Sequence, residues 1–137
     1  MTEPKPADRK TTVLIVDDDP AFVQLAQHHL DAAGYTTISA RDSIQGLVVA
    51  KKEHPAVVLV DLQMPAGGGL QLLERLRANR ATETIPLVMV TASRDAGLEE
   101  QARARGAVGF LHKPVDREAL LATVEGALPL PPSMEFA

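Results

Sequence analysis

At 137 residues and 45% hydrophobic composition, the chain is sized for one compact α/β domain with short tails. It has no cysteine, which excludes a disulfide scaffold and thiolate metal centres and fits a reducing cytoplasm, and its net charge of −4 argues against nucleic acid as a main partner. No run approaches the ~20 apolar residues that span a bilayer, and MTEPKPADRK lacks the apolar stretch of a signal peptide, so the expected location is cytoplasmic with no membrane partner.

In chain order, residues 1–11 read as a mobile lead-in. Apolar runs follow at Thr12–Val16, Thr36–Ala40, Val57–Val60, Leu87–Val90 and Val108–Leu111. Those starting at 12, 57 and 87 are continuous and β-branched, the pattern of strands buried on both faces. Helical spacing fills the intervals. Phe22, Leu25, Ala26, His29 and Leu30 form a stripe that ends before Gly34, a C-terminal cap. Ile44, Leu47, Val48 and Lys51 predict a second helix, despite Gly46. Leu70, Leu72, Leu73 and Leu76 predict a third, Leu98 to Arg105 a weaker fourth, and Val115 to Ala127 a fifth. Five alternations of strand and helix predict a doubly wound parallel sheet over 12–127. Residues 128–137 are proline-rich and read as a tail or the start of a linker.

The chemistry gathers where these strands end. LIVDDDP places Asp17, Asp18 and Asp19 after the first strand; the third ends in Asp61, the fourth in Thr91, and Lys113 follows the fifth. Ligands of open parallel sheets bind beyond the carboxyl ends of the strands. With the strand order 2-1-3-4-5, Asp17, Asp18 and Asp61 share one crevice. Three crowded carboxylates are then tolerable because they hold a hard divalent cation, for which magnesium and its oxygen ligands are the natural fit. Asp19 precedes Pro20, a residue suited to a helix's first turn, so its part is that of an N-cap.

VDDDP, VDLQMP, VTA and GAVGFLHKP, in this order and spacing, resemble the response-regulator receiver domains of two-component signalling, the CheY-like family, from about Thr12 to Ala127. The resemblance implies a flavodoxin-like fold and a phosphorylation-controlled switch. It makes Asp61 the phosphoacceptor, with Mg2+ (Mn2+ substituting) held by Asp17, Asp18, Asp61 and the backbone carbonyl of Gln63. Thr91 donates its hydroxyl to the phosphoryl group, and Lys113 contacts a phosphoryl oxygen next to a cis Lys113–Pro114 bond. Phe110 occupies the position of a switching aromatic that is commonly Tyr. The implied donor is a sensor histidine kinase or a His-containing phosphotransfer protein. The implied output is an unidentified protein or a C-terminal domain, reached through the surface of the fourth helix, fifth strand and fifth helix. Such a domain is not a turnover enzyme, although it catalyses its own phosphotransfer and dephosphorylation.

Two positions depart from the pattern. The loop MPAGGGL has Gly68 where Asp is usual, which removes a side-chain cap from the third helix. Phe110 lacks a hydroxyl, so any switching there works through packing. Gly67–Gly69 without a downstream Lys-Ser/Thr is a weak nucleotide cradle, and His28, His29, His54 and His112 lack a metal-ligand spacing. Two other readings stay open: a magnesium-dependent aspartate-nucleophile phosphatase, disfavoured because DDDP does not give DxDxT, and a pseudo-receiver that only scaffolds partners.

Overall fold

The computed structural model describes residues 11–64 and 67–128. Most of the lead-in and of the tail, together with Pro65 and Ala66 of the glycine-rich loop, lie outside the described residues. Strands β1 (Thr12–Val16), β2 (Thr36–Ala40), β3 (Val57–Asp61), β4 (Leu87–Thr91) and β5 (Gly109–His112) alternate with helices α1 (Pro20–Ala32), α2 (Ser43–Glu53), α3 (Gly69–Arg77), α4 (Ala96–Ala104) and α5 (Arg117–Ala127). Every strand pairing is parallel, in the order β2-β1-β3-β4-β5. This is the expected doubly wound sheet.

Strand periodicity divides the core into two layers. Val13 and Ile15 of β1, Val57 and Leu59 of β3, and Val88 and Val90 of β4 pack with Phe22, Ala26 and Leu30 of α1 and Leu120 and Val124 of α5. Leu14, Val16, Val58, Val60, Leu87 and Met89 face the other way, against Leu72, Leu73 and Leu76 of α3 and Ala102 of α4. Both faces of β1, β3 and β4 are therefore buried, which is why those runs are continuously apolar. Each such side chain contributes roughly 1.5–3 kcal/mol by burial.

Local chemistry sets the helix ends. Asp19, Asp42, Asp95 and Asp116 each accept a backbone N–H in the first turn of α1, α2, α4 and α5. Gly34, with φ 101°, follows α1, as its C-terminal cap requires. These caps also correct two boundaries, with α4 starting at Ala96 rather than Leu98 and α5 at Arg117 rather than Val115; separately, β5 runs one residue later than Val108–Leu111.

The phase of α2 differs from its apolar pattern. Ser43, Gly46 and Ala50 face the sheet, while Ile44 and Val48 are 58% and 60% exposed. The close approach of α2 to β1 explains this: a Cβ at Gly46 would lie 3.0 Å from Val16 Cγ2. Small residues take the inward face because the gap admits nothing larger. Leu25, expected in the α1 stripe, is likewise exposed.

Candidate functional site

The site lies at the carboxyl ends of β1, β3, β4 and β5. Asp17 follows β1, where its N–H donates to Ala40 O at 3.0 Å; its side chain is buried beneath the α1 entry. Asp17 Oδ1 accepts from Asp19 N at 2.9 Å, and Asp19 Oδ1 accepts from Ala21 N at 3.0 Å. Within the triplet Asp17 is turned inward, Asp18 stands exposed at the mouth, and Asp19 caps α1, the last as expected from Pro20 after it. Asp61 ends β3 nearly buried, and its Oδ1 accepts from Gln63 N at 3.0 Å.

Lys113 reaches into this acid cluster from beyond β5. Its Nζ lies 2.8 Å from Asp17 Oδ2, 3.4 Å from Asp61 Oδ2 and 3.9 Å from Asp19 Oδ2. It also sits 4.8 Å above the centre of the Phe22 ring, so a core aromatic supports the ammonium from below. Lys113 N–H donates to Thr91 O at 2.8 Å, and the Lys113–Pro114 bond is cis, as expected. Thr91 is fully buried, and its Oγ1 accepts from Ser93 N at 3.0 Å. Ala92 beside it is exposed and small, so the crevice stays open on that side. Phe110 is half-buried on β5, paired in register with Met89, with its ring 5.3 Å from that of His112 in an edge contact.

The electrostatics are those of a strained anion cluster. Burial pushes the Asp17 carboxyl above its ordinary value and Asp61 adds to this; Lys113 and the Asp19 N–H oppose them, and burial prevails. Burial works to lower the Lys113 ammonium, but Asp17 and Asp61 outweigh it, so its net shift is upward. Asp17 Oδ2 is buried, with the Lys113 ammonium 2.8 Å away as its partner. A hard cation suits that set: one oxygen from each of Asp17, Asp18 and Asp61 fall within 4.8 Å of one another. The donors present therefore fit a magnesium-type ion.

The structure brings Asp17, Asp18, Asp61 and Lys113 together and sets Thr91 at the end of the adjacent strand. The four histidines do not join them: His28 and His29 lie on α1, His54 closes α2 in a left-handed conformation with φ 48°, and His112 packs on Phe110. Sequence reading missed two supports, Phe22 beneath Lys113 and Ser93 on the Thr91 hydroxyl. Phe22 carried the signal of an ordinary core residue. Ser93, two residues after Thr91, fits the local turn in which a Thr hydroxyl takes a nearby N–H.

Residues 13–125 match the response regulator receiver domain family. The chain is 37% identical over 116 residues to the DNA-binding dual master transcriptional regulator RpaA of Synechocystis, covering 85% of this chain and 48% of the relative. It is 37% identical over 123 residues to the C4-dicarboxylate transport transcriptional regulatory protein DctD of Pseudomonas aeruginosa, with 90% of this chain and 26% of the relative covered. The chain thus spans about half or less of those two proteins. By contrast, it covers 95% of the polar-differentiation response regulator DivK of Brucella ovis, at 31% identity over 117 residues and 85% of this chain. The solved chemotaxis protein CheY4 of Vibrio cholerae superposes with a TM-score of 0.81 at 31% identity, covering 86% of this chain and 98% of that one. The chain belongs to the response regulator receiver domain family of two-component signalling. Among the described residues no helix is long and apolar enough to cross a membrane.

Proposed function

We propose that this receiver domain accepts a phosphoryl group from a phosphohistidine onto the carboxylate of Asp61, in a reaction that needs a divalent cation. The observation that carries the reading is the meeting of Asp61, the acid pair and Lys113 in one crevice, with Lys113 Nζ 3.4 Å from Asp61 Oδ2. An Asp61 oxygen attacks phosphorus, the phosphorus–nitrogen bond breaks, and the imidazole leaves with its electron pair. Lys113 neutralises charge on the phosphoryl oxygens, and the rigid strand ends hold the nucleophile in position. Asp17, Asp18, Asp61 and the carbonyl of Gln63 would hold Mg2+, or Mn2+ in its place, and the bound ion would supply further neutralisation of charge on the phosphoryl oxygens. Thr91 then gives its hydroxyl to a phosphoryl oxygen, and the change is read on the surface of α4, β5 and α5 around Phe110.

Residues 12–127 form the receiver unit in this reading, and the proline-rich residues 128–137 serve as a tail or the start of a linker. The donor is a sensor histidine kinase or a His-containing phosphotransfer protein, and the output is a bound protein or a following domain. The domain acts in the cytoplasm as a switch rather than a turnover enzyme. Acetyl phosphate with and without magnesium, followed by intact mass, tests the assignment. Wild type gains one phosphoryl group only with the metal, and Asp61→Asn gains none; equal labelling of the two overturns it.

A further inference from the structure

Four large apolar side chains are exposed among the described residues, Leu25, Ile44, Val48 and Val108, and two of them lie one turn apart on α2. At 3.6 residues per turn, Ile44, Val48, Lys51 and Lys52 share the outer side of that helix, with the exposed Arg41 just ahead of it. Two acids are nearby: the Asp42 carboxylate, which caps the helix by accepting from Gln45 N at 2.8 Å, and the exposed Glu53 at the helix end, which 3.6-residue spacing sets about half a turn round from Ile44. The result is a branched apolar ridge edged by three cations on a chain whose net charge is −4. Because Gly46 and its small neighbours already fill the gap to β1, rotating α2 inward cannot hide the ridge.

The charge selects the occupant. A second copy packed ridge to ridge would set Lys51 and Lys52 against the partner's Arg41 or lysines in either orientation, which is repulsive. Two branched residues with no exposed aromatic beside them give little to insert into a bilayer. We propose that the outer face of α2 docks an amphipathic helix of another protein, with its apolar edge on Ile44 and Val48 and its flanking carboxylates over Arg41, Lys51 and Lys52. Packing of the Ile44 and Val48 ridge into a groove of the partner helix supplies the contact, and the rim charges supply orientation and salt dependence. Ile44 and Val48 stand apart from the acid crevice, whereas Arg41 also lines the cavity beside Asp17 and Asp18, so the docking face adjoins the phosphoryl site at that one cation.

The test uses the 15N-labelled chain without metal or phosphodonor, so its outcome is independent of Asp61 phosphorylation. Two synthetic helical peptides share leucines at i and i+4; one carries flanking glutamates, the other lysines. The glutamate peptide is expected to shift amides of residues 43–54 and to bind about tenfold more tightly than the lysine peptide. Lys51→Glu with Lys52→Glu should reverse that preference, and Ile44→Ser with Val48→Ser should abolish binding of both; these positions are exposed, and circular dichroism checks that the fold is kept. No shifts, shifts outside α2, or equal response to both peptides would overturn the proposal. Self-association, or co-sedimentation with phosphatidylglycerol vesicles that the serine variant loses, would overturn it in favour of a second copy or a membrane surface.

Discussion

Gly68 lies directly against the carbonyl of Leu62: a Cβ at position 68 would overlap that oxygen. Its φ of −102° is open to any residue, so space rather than backbone conformation requires glycine. The α3 entry consequently has no side-chain cap, and its first turn is closed by Gly69 N donating to Leu62 O at 3.2 Å.

Placing the family's usual acid here, Gly68→Asp, should therefore destabilise rather than restore a cap. The expected loss is about 1–3 kcal/mol, as for other overpacked sites, and Gly68→Ala should cost about the same because the Cβ is the obstacle. Urea unfolding of both variants measures it. A gain in stability for the aspartate variant alone would show that the loop opens to accept the cap.

The raised Asp17 carboxyl has a stability consequence. A carboxyl with a folded pKa above its unfolded value penalises the fold once it ionises. The penalty is absent below the unfolded value of 3.8, grows as pH rises from there through the folded value, and is complete above the folded value. Asp17→Asn should then melt higher than wild type at pH 7 in a chelator. Magnesium should raise the melting temperature of wild type and leave the variant unchanged. A lower melting temperature for the variant in chelator would mean that the Lys113 pair outweighs burial.

Asp18 and Asp19 are adjacent but should respond differently. Asp18→Asn is expected to weaken magnesium binding at least tenfold. Asp19→Asn preserves a good N-cap and should change both affinity and stability little. Isothermal titration separates them, and equal weakening would show that Asp19 also serves the ion.

Beryllofluoride, a stable mimic of the phosphoryl group, should move the resonances of Phe110, of His112 against its ring, and of residues 94–105. Phe110 needs no hydrogen-bond partner when buried, so the shifts should already be partly present in the free protein as an averaged inward population. Shifts confined to the neighbours of Asp61 would place the output surface elsewhere.

The fold was legible where burial is two-sided. The continuous runs of β1, β3 and β4 admit one reading, and an acid at the end of β1 and of β3 marks the crevice. Reading α2 by its apolar residues failed because amphipathic logic assumes that the core takes large side chains, whereas Gly46 and Ala50 meet a surface that has come too close for them. The helix starts were mistaken where the capping acids Asp95 and Asp116 received less weight than apolar neighbours, Leu98 after the first and Val115 before the second. Phe22 could not be distinguished from other core residues because its second role depends on Lys113, far away along the chain.

The hydrogen bond from Ser93 N to Thr91 Oγ1 makes the buried hydroxyl a latch on the loop leading into α4. If that hydroxyl turns to serve a phosphoryl oxygen, the Ser93 amide loses the acceptor that shields it from solvent. Deuterium uptake at this one amide would then time the life of the acyl phosphate, rising when it forms and slowing when it hydrolyses.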